Sequence, residues 1–243
     1  MPGLPPTGSL ALSGQEVVLE PLPDLDIGPE TTTSSARHNL HFAGKLRLWS
    51  NFVIDALNHH AIYQWSSGPV ITKDPAPLVP HSLSHEQVTV GDENGAQGRF
   101  NQLFGDYKSC VIQKSTRKTP DTMIRTTGGH PLAVGEIKTP WVDEHSFSLA
   151  MRNGQIAMYM EILELKYAYM TTYNETMFFC QEDIVGQTIL LYSDVIRHDS
   201  AYVPGLSATV RQCFFYLAAL GAETSSHTTS PSRTTGWVTS IAD

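Results

Sequence analysis

The stretch Lys118-Thr-Pro-Asp-Thr-Met-Ile-Arg-Thr-Thr-Gly-Gly-His-Pro-Leu-Ala-Val-Gly-Glu-Ile-Lys138 predicts two short strands joined by a tight turn at Gly128-Gly129. The first strand opens at Asp121, and the second ends with Glu136 and Lys138. Because side chains alternate between the two faces of a strand, Glu136 and Lys138 point the same way. The hairpin therefore predicts two carboxylates and one lysine at one end of a sheet.

This group of side chains suits a divalent metal and an activated water. Mg²⁺ prefers oxygen ligands and keeps several of its waters, so one to three carboxylates suffice to bind it. We expect Asp121 and Glu136 to bind Mg²⁺ or Mn²⁺, with the backbone carbonyl of Ile137 as a third ligand. Lys138 is expected to orient or deprotonate the attacking water, or to steady the charged oxygens.

A helix is predicted just before this hairpin, over residues 93–105. Its apolar residues recur at helical spacing, although two glycines weaken the pattern. Glu93 stands at its start and is expected to complete the metal shell or to hold a metal-bound water. Since the start of the helix is uncertain by several residues, Glu86 is an alternative for this role.

The remaining pattern predicts an α/β fold with a mixed central sheet flanked by helices. We expect one domain over residues 37–222 with its core at 93–193, between a disordered or loosely packed arm, 1–36, and a disordered tail, 223–243. Residues 66–91 are expected to form a loop or linker. The other predicted elements are helices at 44–60, 146–170 and 210–220 and strands at 109–114, 175–181 and 187–193.

The ordered set of Pro120-Asp121, Glu136-Ile-Lys138 and one acidic residue, Glu93, on the preceding helix resembles the PD-(D/E)XK nuclease superfamily. Gln155-Ile-Ala-Met-Tyr159 is similar to a QxxxY element on the next helix of some members. The resemblance covers residues 93–222 and implies a restriction-endonuclease-like core in which Gln155 and Tyr159 contact nucleic acid or organise the site. Three later segments resemble fungal members more narrowly: Thr172-Tyr-Asn-Glu-Thr-Met-Phe178, Thr188-Ile-Leu-Leu-Tyr-Ser193 and Thr209-Val-Arg-Gln.

Charge and composition bear on partner and compartment. The net charge is −8, which by itself argues against a nucleic-acid partner. Residues 93–170 nevertheless carry nine Lys and Arg against eight Asp and Glu, and here Lys118 and Arg125 are expected to contact the substrate. The three cysteines are odd in number and far apart, and the sequence shows neither a secretory signal nor a membrane-spanning apolar run. We therefore expect an intracellular protein, cytoplasmic or nuclear, with no membrane partner.

Three functions fit these residues. The first is a Mg²⁺-dependent nuclease acting on DNA or RNA. The second is a binding or regulatory protein that keeps the fold without cleaving, because no separate DNA-reading module is visible. The third is an enzyme on the same scaffold that acts on a small molecule, which would require an apolar pocket beside Glu136.

Overall fold

The structure is a computed structural model that describes residues 10–32, 40–73, 90–105, 120–126, 128–142, 154–184, 187–223 and 238–240. Within these ranges the chain is an α/β protein with a seven-stranded mixed sheet and five helices. The predicted α/β class with a mixed central sheet is therefore confirmed. None of the helices in this part of the chain is long and apolar enough to cross a membrane.

Seven strands form the central sheet: β3 (Lys45–Leu48), β5 (Thr122–Arg125), β6 (Pro131–Ile137), β7 (Tyr167–Thr171), β8 (Glu175–Ile184), β9 (Gln187–Tyr192) and β10 (Ile196–Arg197). They run in the order β3-β9-β8-β7-β6-β5, with β10 paired to β8. The pairs β3/β9 and β6/β7 are parallel, and the other pairs are antiparallel. The hairpin of β5 and β6 thus lies at one edge of the described sheet.

Two smaller antiparallel sheets lie outside the central one: β1 (Leu10–Ser13) with β4 (Pro69–Lys73), and β2 (Leu40–Phe42) with β11 (Val238–Ser240). In the second pair, a segment near the end of the chain is joined to one near its beginning. Residues 223–243 were expected to be a disordered tail, so β11 is a departure from that expectation.

The five helices are α1 (Gly14–Leu19), α2 (Phe52–Ile62), α3 (Glu93–Gly105), α4 (Gln155–Ile162) and α5 (Val210–Glu223). Alternate strand residues divide the core into two clusters. Ala133 and Ile137 of β6 pack with residues of α2, α3 and α5, whereas Val134 packs with residues of α4. Because alternate residues point to opposite faces, α4 covers one face of the sheet, and α2, α3 and α5 cover the opposite face.

The N-terminal segment packs against the core, which differs from the loose arm expected for residues 1–36. Ser13 and Glu16 cap α1 with reciprocal hydrogen bonds, and the helix buries Val17 and Val18. The segment continues past the end of β7, where the Tyr173 hydroxyl donates to the carbonyl of Pro23 at 2.8 Å. Apolar residues in a sequence dominated by Pro, Gly and Ser are enough to anchor it. The division into domains itself stays a prediction.

Two predicted helices are shorter than expected. Residues 45–48 of the helix predicted at 44–60 form β3, because their alternation of charged and apolar residues suits pairing with β9. The helix predicted at 146–170 is described from Gln155 and ends at Ile162, and Glu164 then takes a left-handed conformation with φ 56°. Residues 167–171 become β7 instead.

The structure confirms most of the other predicted elements. These are the hairpin, the helix at 93–105, the two strands beginning at 175 and 187, and the helix beginning at 210. The loop expected over 66–91 contains β4, so that part of the prediction is wrong. The strand predicted at 109–114 lies outside the described residues.

Candidate active site

The strand register places the predicted carboxylates on one face of the sheet. Thr122 of β5 pairs with Gly135 of β6, and extending this register by one residue brings Asp121, directly before β5, opposite Glu136. Residues directly opposite each other on antiparallel strands share a face, and Lys138 lies two residues beyond Glu136. By the same alternation, this face is the one that bears Val134 and α4. Asp121, Glu136 and Lys138 therefore lie at the same end of the hairpin, and their joint role in a metal site stays a prediction.

Asp121 is held against the end of β6. Its Oδ2 accepts a hydrogen bond of 2.8 Å from the backbone N–H of Ile137, the residue between Glu136 and Lys138. The Asp121 side chain is half-buried. A hydrogen bond to a carboxylate is stronger than one between neutral groups, so this contact fixes the end of β5 next to β6.

Glu136 and Lys138 form a buried ion pair. Lys138 Nζ lies 2.5 Å from Glu136 Oε1, and the side chains are 11% and 2% exposed, respectively. Bringing two charges out of water is costly, and the cost is offset only when the partners stay close. Lys138 therefore secures the negative charge of Glu136 in the folded protein.

The QxxxY pair lies on the helix that covers this face. Gln155 Nε2 donates to the Tyr159 hydroxyl at 3.1 Å. Both side chains are buried, and Tyr159 belongs to the same apolar cluster as Val134 of β6. Their burial favours a role in organising the site over direct contact with a substrate in this conformation.

Glu93 is the first residue of α3, directly after Asp92, whose Oδ1 accepts from the backbone N–H of Gly95 at 2.7 Å. Through Phe100, α3 packs on the sheet face opposite the one that bears Glu136. The metal-assisting role of Glu93 stays a prediction, and the alternative, Glu86, lies outside the described residues.

Of the two predicted substrate-binding cations, Arg125 is described and lies apart from the carboxylate group. Lys118 lies outside the described residues. Arg125 ends β5 at the turn, four residues from Asp121, which corresponds to roughly 13 Å along an extended strand. Its Nε lies 3.3 Å from Met123 Sδ. Arg125 could therefore contact only an extended substrate that reaches from the carboxylates to the turn.

The capacity of the site to bind a metal depends on few ligands among the described residues. Among them, no group of three or more His, Cys, Asp or Glu side chains is placed to hold a metal ion. The predicted site needs only two carboxylates and a backbone carbonyl, and such a set suits Mg²⁺, which retains several waters. The residues present therefore fit the ion by their chemistry, and its binding stays a prediction.

Comparisons of the chain with protein-family models, with curated proteins and with solved structures found no match. The residues of the site itself therefore carry the functional inference. One feature of that site was missed in the sequence: the buried Tyr169, whose hydroxyl donates to Thr122 Oγ1 at 2.9 Å. The available signal was Gly135, because a glycine inside a strand often marks a close approach by another group.

Proposed function

We propose that this chain is a Mg²⁺- or Mn²⁺-dependent phosphodiester hydrolase that acts on nucleic acid. The observation that carries the proposal is the placement of Asp121, Glu136 and Lys138 on one face at the open end of the β5/β6 hairpin. Two carboxylates and a lysine are side-chain types that suit metal-assisted hydrolysis.

The order of elements supports a restriction-endonuclease-like core. Helix α3 precedes the hairpin, α4 follows it, and β7 then pairs parallel to β6. This order agrees with the helix-strand-strand-strand-helix-strand core of the PD-(D/E)XK superfamily, in which the first strand would fall within residues 106–119, outside the described residues.

The chemistry assigns a distinct role to each side chain. A bound divalent ion would acidify a water and offset charge on the phosphoryl oxygens. Asp121 and Glu136 would hold that ion, and Asp121 is already oriented by the Ile137 amide. The Lys138 ammonium would stabilise the negative charge that develops on the phosphate, and its partner Glu136 holds it at the site.

Cleavage assays with matched variants test this function. Labelled single- and double-stranded DNA and RNA are incubated with the protein in Mg²⁺, in Mn²⁺ and in EDTA. We expect metal-dependent cleavage that falls by roughly 10²-fold or more in Asp121→Asn and in Lys138→Met. Asp194→Asn, at an exposed position after β9, is the control and should cleave like the wild type. Undiminished cleavage by folded Asp121→Asn would refute the assignment.

A second candidate function is a binding or regulatory protein that retains the fold without the chemistry. The observation that favours it is the burial of the Glu136–Lys138 pair, which is also typical of a structural ion pair. The net charge of −8 favours it as well. Absence of cleavage on all four substrates, combined with absence of Mn²⁺ binding, is the outcome this candidate predicts.

A further inference from the structure

We infer that Tyr169 is a positioning residue for the carboxylate site, an inference that rests on the proposed function. Tyr169 of β7 pairs with Gly135 of β6, and Gly135 pairs with Thr122 of β5. The three residues thus form one row across three strands. In the next row along the sheet Glu136 pairs with Met170, and Asp121 directly precedes β5 on the other side of Glu136.

The Tyr169 side chain joins the two outer strands of this row. Its ring passes over Gly135, where a Cβ atom would lie 2.6 Å from the Tyr169 hydroxyl oxygen and closer still to the ring. Its hydroxyl donates to Thr122 Oγ1 at 2.9 Å, and Thr122 Oγ1 donates to Asn101 Oδ1 of α3 at 3.3 Å. The absence of a side chain at Gly135 is what lets Tyr169 reach β5.

The ring of Tyr169 cannot move freely. It packs edge-on against Phe214 at 4.6 Å between centroids and stacks with Phe100 at 6.2 Å. Tyr169 itself is 1% exposed. The hydroxyl is therefore presented at a fixed place, and the position of Thr122 follows from it.

We call the contact of Tyr169 with Gly135 and Thr122 the clamp, and it acts on the site because of its place in the sequence. Thr122 directly follows Asp121, and Gly135 directly precedes Glu136. The clamp lies on the face of α3, whereas the carboxylates lie on the face of α4. Since β5 has only four residues and lies at the edge of the described sheet, its end is prone to fray. Tyr169 holds that end in place and so sets the separation between Asp121 and Glu136.

Amide hydrogen exchange tests the clamp without any assumption about catalysis. The Ile137 N–H donates to Asp121 Oδ2, so its exchange rate reports whether Asp121 stays in place. In Tyr169→Phe we expect Ile137 to exchange roughly 2- to 10-fold faster, the effect of losing one hydrogen bond, while amides of β8 and β9 keep their rates. Tyr167→Phe, which removes a hydroxyl from the same strand at the row of Ala133, is the matched control and should leave Ile137 unchanged.

Two further variants separate positioning from general destabilisation. Thr122→Val removes the same hydrogen bond from the other side, together with the one from Thr122 to Asn101, so the double variant with Tyr169→Phe should have no larger effect than Thr122→Val alone. Thr122→Ser keeps a hydroxyl and should restore the Ile137 exchange rate. In cleavage assays, Tyr169→Phe is expected to lower kcat about tenfold with KM unchanged.

The outcomes decide two separate questions. An unchanged Ile137 rate in both Tyr169→Phe and Thr122→Val, or additive effects in the double variant, would overturn the clamp. Faster Ile137 exchange with an unchanged kcat in a cleaving enzyme would overturn its role in positioning. A wild-type protein that cleaves nothing while Ile137 responds to Tyr169→Phe refutes the proposed function and still supports the clamp.

Discussion

Replacing Lys138 with Met should destabilise the fold substantially. Lys138 Nζ lies 2.5 Å from Glu136 Oε1, and the Glu136 side chain is 2% exposed. At an effective dielectric constant of 20, two charges at this distance attract by about 7 kcal/mol before the cost of desolvation is subtracted. Met keeps the apolar stem and removes the cation, which leaves a buried carboxylate without that partner. Breaking such a pair typically costs about 3–5 kcal/mol.

Thermal unfolding in EDTA measures this cost. For a chain of this length, about 3–5 kcal/mol corresponds to a decrease in Tm of roughly 6–20 °C. Arg197→Met is the control, because Arg197 and Asp199 form an ion pair at 3.0 Å whose side chains are more than half exposed. It should leave Tm essentially unchanged. If Lys138→Met also unfolds at the wild-type temperature, the Glu136 charge is not buried as described and the reasoning fails.

Three other predictions concern packing, pH and thiols. Gly135→Ala would force a Cβ into the Tyr169 ring, so urea unfolding should show a loss of stability of about 1–3 kcal/mol or more; an unchanged midpoint would contradict the close packing of that row. Burial, with a smaller contribution from His59, lowers the pKa of His60, so the unfolded state binds the extra proton and stability should fall as pH drops below about 6.5. This dependence should weaken in His60→Phe, and an equal slope in both proteins would exclude His60 as its source. Cys180 and Cys213 are both buried, and burial raises the pKa of each thiol. Native protein should therefore react with a thiol reagent at no more than one of its three cysteines, and all three should react once it is unfolded; reaction of Cys180 or Cys213 in the native protein would contradict their burial.

The elements with local signals were the ones that sequence could predict. The Gly128-Gly129 turn fixed the hairpin, and strand alternation then indicated that Glu136 and Lys138 share a face. The sequence predicts the start of a helix where the structure has β3. The local pattern cannot reveal this strand, because it depends on pairing with β9, which lies more than a hundred residues later. All four β3 residues are exposed, so burial gave no signal there either.

Strand β7 was predicted as the end of a helix for a different physical reason. All five residues of β7 are buried, because the strand is covered on both faces. Such a strand loses the alternation of polar and apolar residues, and its apolar run looks like a continuation of the preceding helix. Gly135 signals a close approach to its strand but does not identify the hydrogen bond from Tyr169 to Thr122, because that contact requires β5, β6 and β7 to be placed side by side.

Metal binding by the wild type and by Asp121→Asn is the most direct test of the central claim, that Asp121 and Glu136 together form one cation site. Isothermal titration calorimetry with Mn²⁺ and Mg²⁺ should detect one ion per wild-type chain. Asp121→Asn should weaken that binding by roughly tenfold or more, and Asp194→Asn should bind like the wild type. A wild-type protein that binds neither ion at millimolar concentration, or an Asp121→Asn protein that binds as tightly as the wild type, would contradict the account.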